Sequence, residues 1–206
     1  MNAQAYLSQE ALRARLFAAP PPLPLAPSRS DYDLNPSMRP EAQRALVPAA
    51  VLIPIVAHAE PTVLFTTRSE ALPRHAGQVS FPGGCAHEQD DSLVATALRE
   101  MQEETGIDPA LVSVAGFLTP YETVTGYAVL PVVGLVREGF GLSVNAREVD
   151  GVFEVPLAFL IDPASRQEHQ REWKGQQRRF YVFEHGTHYI WGATAAILVD
   201  LAEHLA

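Results

Sequence analysis

The chain has 206 residues, 47% apolar and 19% charged, enough for one full hydrophobic core with extensions. A single cysteine, Cys85, excludes an internal disulfide, and no window reaches the roughly 18 uninterrupted apolar residues of a membrane span. With 15 basic and 24 acidic side chains the net charge is −9, which argues against a nucleic-acid surface. An anionic substrate must then be attracted by something other than net charge.

The first seventeen residues have helical composition with weak apolar periodicity. They lack the basic start and apolar run of a secretory signal, so a cytoplasmic location is expected. AAPPPLPLAP, residues 18–27, is proline-dense and predicts extended, polyproline-like backbone. Residues 1–45 read as an N-terminal arm, either laid across the domain or a loose tail, and residues 46–206 as the main domain. AAVLIPIVAHA and TVLFTTR are β-branched runs parted by Glu60 and Pro61, the pattern of two adjacent strands joined by a turn. Pro54 inside the first run predicts an edge strand or a bulge.

Residues 68–78 have no period and read as a loop; Val79 to Phe81 is a short apolar stretch, and Pro82, Gly83 and Gly84 break the chain. A helix is predicted from Ser92, as N-cap, to Gly106, as the closing glycine. LVSVAGFL, YAVLPVVGLV, GVFEV and FYVFEH have strand character, and an apolar helix runs from Ala193 to about His204. Strands outnumber helices and several are close enough to be antiparallel, so the class is α+β or a layered α/β sandwich.

The helix SLVATALREMQEETGI carries the chemistry. Val94, Ala97, Leu98 and Met101 form an apolar stripe, and Glu100, Glu103 and Glu104 fall within an arc of roughly 100° displaced from it. Three carboxylates at i,i+3 and i,i+4 spacing repel one another near a helix C-terminus, where the macrodipole also disfavours anions. A hard divalent cation would remove that repulsion, because Mg²⁺ takes oxygen ligands from one or two carboxylates and from phosphates. Arg99, i,i+4 to Glu103, can hold that carboxylate in place.

At these residues a resemblance emerges. Gly84 to Ile107 resembles the Nudix box, G-x5-E-x7-R-E-U-x-E-E-x-G-U with U apolar: Arg99, Glu100, Met101, Glu103, Glu104, Gly106 and Ile107 match its second half. Six residues instead of five precede the first acidic position, which holds Asp91, so its role could fall to Asp90 or Asp91. Upstream, LFTTRSEALPRHAGQVSFPGG is similar to the signature of the coenzyme A pyrophosphatase branch. Leu64, Thr66, Arg68, Ser69, Gly77, Phe81, Pro82, Gly83 and Gly84 fit; Phe65 replaces leucine, and Pro73 stands where an arginine is usual, with Arg74 one place later.

The resemblance implies the Nudix fold over residues 46–206, a layered α/β/α sandwich with a mixed sheet between helices, and divalent-metal-dependent hydrolysis of the coenzyme A diphosphate to 3′,5′-ADP and 4′-phosphopantetheine. Mg²⁺ or Mn²⁺ would be held by Glu100, Glu103 and Glu104, with Arg99 completing the catalytic set. Arg68, Arg74, His75, Gly83 and Gly84 are the candidate substrate contacts, and the water's proton would go to Glu100, Glu104 or Glu148. ADP-ribose or a dinucleotide is the alternative substrate. A catalytically silent binding module is the third reading, against which all three glutamates are present. Arg171, Lys174, Arg178 and Arg179, offset by Glu168 and Glu172, read as a solvated face; Trp173 and Tyr181 as packing rather than base stacking; Cys85 as a loop residue. The expected partner is a small molecule, without nucleic acid or membrane, and the sequence is compatible with a homodimer.

Overall fold

A computed structural model describes residues 9–42, 44–73, 75–173 and 175–206. Its elements are α1 (Gln9–Arg13), β1 (Arg29–Ser30), β2 (Val47–Val56), β3 (Thr62–Arg68), β4 (Val79–Ser80), β5 (Gly83–Cys85) and α2 (Leu93–Thr105). They continue with β6 (Val112–Phe117), β7 (Tyr121–Glu122), β8 (Tyr127–Val136), β9 (Val149–Pro156), α3 (Leu157–Ile161), β10 (Gln167–Trp173), β11 (Gln176–His185), β12 (His188–Trp191) and α4 (Gly192–Leu205).

Nine strands form a mixed sheet along the path β1-β7-β8-β2-β3-β4, with β5 on β2, β6 on β8 and β9 on β3. β2 and β8 run parallel, from Val47↔Tyr127 to Val56↔Val136. Side chains alternate across a strand, and the two faces of β2 show it. Ala50 and Leu52 pack with Leu93, Ala97 and Met101 of α2, while Ile53 and Ile55 join Leu198 and Leu201 of α4 on the opposite face. The expected mixed sheet between helices is borne out, with α2 on one side and α3 and α4 on the other. Among the described residues no helix is long and apolar enough to cross a membrane.

Pro54 does not mark an edge. β2 is central, flanked by β8 along its whole length, while on its other side β5 covers Ala49–Val51 and β3 covers only Ile55 and Val56. The Leu52 N–H reaches the Pro82 carbonyl on that side (2.9 Å). Two residues on, the missing N–H of Pro54 falls on the same side, in the gap between the two short ladders, where no bond is lost.

The described part of the N-terminal arm lies against the domain. Leu12, Leu16 and Tyr32 are buried, Phe17 bridges to Phe117, and β1 extends the sheet beside β7. The helix expected over the first seventeen residues is limited here to α1; residues 1–8 lie outside the described residues. Asn35 donates to the Arg179 carbonyl (2.9 Å) and accepts its N–H (2.8 Å), pinning the arm to β11.

β10, β11 and β12 form a separate antiparallel sheet. QEHQREW has no apolar alternation, and its strand is instead held by arginine over aromatic rings. Arg171 lies 4.5 Å from the Trp191 ring centroid and Arg178 lies 5.5 Å from that of Trp173. Arg178 also pairs with Asp31 (3.2 Å) and is largely buried, which corrects its assignment to a solvated face. Arg179 pairs with Glu168, and Lys174 lies outside the described residues.

At the far end of β2, His58 bridges Glu138 through Nδ1 (2.6 Å) and Glu154 through Nε2 (2.9 Å). A neutral imidazole can donate to one of them, whereas the cation donates to both, so its pKa is raised, first by Glu138 and then by Glu154. The stabilisation from this bridge is therefore complete below about pH 6.5 and fades as pH rises through the raised value. Urea unfolding across that interval is expected to show a downward slope that His58→Gln flattens, with little difference between the two proteins above it.

Candidate active site

Both ends of α2 are fixed as its sequence requires. The Ser92 hydroxyl accepts the Ala95 N–H (3.1 Å), and Gly106, at φ 76°, takes the left-handed turn that closes the helix. The buried stripe is centred on Leu93, Ala97 and Met101, with Val94 and Leu98 half-buried. It is turned toward the glutamates relative to the stripe read from the sequence, so Glu100 and Glu104 face the sheet and retain 9% and 3% exposure.

β5 brings a glycine pair under these carboxylates. A Cβ on Gly84 would come within 2.5 Å of Glu100 Oε1, and one on Gly83 would meet the Ala50 carbonyl at 2.6 Å. The first contact is with the movable end of a side chain, the second with main chain. Glu104 accepts the Gly83 N–H and the Thr66 hydroxyl (3.2 Å). Thr66 matches the branch signature in the sequence but is not among the site residues expected from it, although a polar residue in an apolar strand run is a signal. It occupies the same β3 face as Leu64, toward α2.

Arg99 organises the outer side. Its Nε and Nη2 hold Asp90 bidentately (2.9 and 3.0 Å), Nη1 donates to Glu100 (2.8 Å) and to Glu103 (3.0 Å), and Nη2 reaches the Cys85 carbonyl (3.2 Å). Of the two candidate aspartates, Asp90 takes this place and also accepts the His87 N–H and the Thr96 hydroxyl. Arg99 beside it holds its carboxyl well below the usual range, and Asp90 in turn raises the guanidinium. Glu103 is drawn outward, its side chain 51% exposed, so it does not join the buried pair.

Burial raises the Glu100 pKa, with Arg99 opposing and the charges of Glu103 and Glu148 adding to the rise. Glu104 is pushed up to about 7, first by burial and then by Glu100, against the pull of Thr66, Arg68 and the Gly83 N–H. Glu148 approaches from the loop before β9. That loop is tied to the end of α2 by bonds from Ser143 and Asn145 to the Thr105 and Glu104 carbonyls (2.8 and 3.2 Å). Glu148 accepts the Ser69 N–H at its carbonyl (2.8 Å) and the Asn145 amide at its carboxylate (3.1 Å).

Of the expected substrate contacts, Arg68 is beside Glu104, and its buried Nε has no hydrogen-bond partner. His75 is on the exposed loop with φ 59°, bonded to Gln78 (2.8 Å). Arg74 lies outside the described residues. Among the described residues no three His, Cys, Asp or Glu groups form a metal cage. Two adjacent carboxylates, whose burial and mutual repulsion both favour losing charge, still fit a hard divalent ion, which takes one or two carboxylates and completes its shell with water and phosphate oxygens.

Residues 46–179 match the NUDIX domain. The chain belongs to the Nudix family. It is 45% identical to the Nudix hydrolase NudL of Photorhabdus laumondii over 157 residues, 76% of this chain and 84% of that one. With NudL of Pectobacterium atrosepticum it shares 44% over 177 residues, 85% and 90% of the two chains. Among solved structures it is similar in fold to a MutT/nudix family protein from Enterococcus faecalis, with TM-score 0.50 and 17% identity, over 79% of this chain and 62% of that one.

Two substitutions separate the parts of this arrangement. Gly84→Ala leaves the melting temperature nearly unchanged but displaces Glu100, and Mn²⁺ titration is expected to show affinity about 10- to 100-fold weaker. Asp90→Ala leaves a half-buried guanidinium short of its main partner and is expected to cost about 3 kcal/mol in urea unfolding.

Proposed function

We propose that this Nudix hydrolase of a nucleoside diphosphate derivative takes coenzyme A and its derivatives, releasing 3′,5′-ADP and 4′-phosphopantetheine. The observation that carries the reading is where the branch-like stretch 64–84 lies. It supplies Thr66 and the Gly83 N–H to Glu104, the unpaired Arg68 Nε beside it, and Gly84 beneath Glu100.

Glu100 and Glu104 would hold Mg²⁺ or Mn²⁺, which when bound neutralises diphosphate charge and lowers the pKa of a coordinated water. The glycine pair lets phosphate oxygens approach the backbone, where side chains would block them. Arg68 would turn its free Nε–H to a non-bridging oxygen, a charge-assisted bond that pays for its burial. Arg99 and Asp90 keep Glu100 in one orientation, so little reorganisation is left for the reacting complex. Water oxygen bonds to one phosphorus as the bridging P–O bond breaks, and the bridging oxygen leaves on the other phosphate. The water's proton would pass to Glu100, Glu104 or Glu148; what supports Glu148 is that its charge acts on Glu100 from the loop before β9.

Pro73 in place of an arginine and the net charge of −9 favour the second reading, ADP-ribose or a dinucleotide. Product analysis after incubation with coenzyme A and Mg²⁺ decides between them. Release of 3′,5′-ADP is expected; its absence while ADP-ribose is cleaved rejects the substrate. Glu104→Gln is expected to lower kcat by two to three orders of magnitude, and unchanged turnover would favour a binding module.

A further inference from the structure

A cavity of about 1240 Å³ opens between the N-terminal arm and the start of β2 and β8, and none of the catalytic candidates lines it. We infer that this cavity receives the uncharged, chain-like end of the substrate, the part beyond the diphosphate, with the proline-rich arm as its wall. The inference rests on the diphosphate-hydrolase reading above.

Position is the first argument. The floor is Pro48 and Ala128, register partners on β2 and β8. Both lie on the face that Ala50 and Leu130 turn toward α2, the face that carries Glu100 and Glu104. Ala50 pairs with Gly84, and the Pro48 carbonyl accepts the Ala86 N–H (3.0 Å). Two residues of strand, roughly 7 Å, therefore separate the floor from the glycine beneath Glu100. Leu25 of the wall packs on the same apolar cluster as α2. For a molecule whose diphosphate rests on Gly83 and Gly84, the cavity floor is therefore the neighbouring part of the same sheet face.

Chemistry is the second argument. Leu23, Pro24, Leu25 and Pro27 form one wall, and Leu23 is 66% exposed, an apolar surface left uncovered by the chain itself. The cations at the rim are already engaged. Arg39 donates to Glu122 (3.0 Å) and to the Ser30 hydroxyl (2.7 Å), and Arg44 donates to the Thr123 and Val124 carbonyls (2.8 and 3.0 Å). Glu41 and Glu122 add negative charge to the lining. With two guanidiniums held by their neighbours and balanced by two acids, the lining offers no net charge to attract phosphate, and its apolar wall suits an amide or alkyl chain. The volume exceeds that of a typical small-ligand pocket, up to about 1,000 Å³, as a long flexible group requires.

Ala26 and Ala45, both exposed on the lining and outside the glutamate site, allow the cavity to be filled. Ala26→Trp and Ala45→Trp, in the full chain, are compared with the parent in two measurements. The first is fluorescence titration of the metal-free protein with the neutral probe N-phenyl-1-naphthylamine. The second is steady-state kinetics on a long-chain acyl-coenzyme A and on ADP-ribose. Expected are at least tenfold weaker probe binding and a tenfold higher KM for the acyl substrate, with its kcat and the ADP-ribose kinetics within twofold of the parent. Activity on coenzyme A with unaltered KM and probe binding in both variants overturns the assignment. So does a change confined to oligomeric state on size exclusion, which makes the cavity a contact between copies. A parent protein that releases no 3′,5′-ADP defeats the substrate reading instead, and the probe titration then still decides the cavity.

Discussion

Two carboxylates one turn apart on α2, both nearly excluded from water, set the terms for the rest of this molecule. An ionised carboxylate taken out of water without compensation costs several kcal/mol, and the charge of Glu100 adds to the cost at Glu104. The fold concentrates its polar devices around them: Thr66 and the Gly83 N–H on Glu104, Arg99 on Glu100, Asp90 on Arg99. Partial compensation leaves Glu104 at about 7, near the pH at which its proton is easily exchanged for a cation.

Division of labour among the three glutamates follows from one guanidinium. Arg99 can serve Asp90 bidentately and still reach two carboxylates, and it draws Glu103 to the outside while leaving one Glu100 oxygen uncommitted. The same arginine touches the Cys85 carbonyl, so the strand bearing the glycine pair and the helix bearing the glutamates share a fixed separation. Loops on both sides are tied to this frame: Ser69 to Glu148, and Ser143 and Asn145 to the last turn of α2. The charge of Glu148 acts on Glu100 and that of Arg68 on Glu104, so an acid and a guanidinium with an unpartnered Nε act on the two buried carboxylates.

The N-terminal arm is part of the same economy. Asp31 accepts from Tyr121, from the Val124 N–H and from Arg178, while Arg29 pairs with the buried Asp200 of α4. Charged groups that would otherwise be solvated are used to fasten a proline-rich segment beside the sheet, and the segment in turn stiffens the β10–β11 hairpin through Asn35. Proline in such a wall loses little further entropy on ordering, which suits a surface meant to keep its shape.

Local chemistry alone made much of this legible. Ser92 and Gly106 delimit α2 because a hydroxyl cap and a left-handed glycine act within one helical turn, and the long apolar runs at 127–136 and 192–205 marked two elements by composition and length. The glutamate constellation was visible because its spacing is a property of one helix. What the chain could not reveal by itself were relations between segments distant in sequence. Which glutamates face inward depends on how α2 rolls against β2, and the burial of Arg178 depends on Asp31, 147 positions away. Pro54 looked like an edge residue because sequence carries no record of where two neighbouring ladders stop short. Periodicity encodes what a segment can bury; the packing partner decides which face is buried, and that choice exists only once the chain has folded.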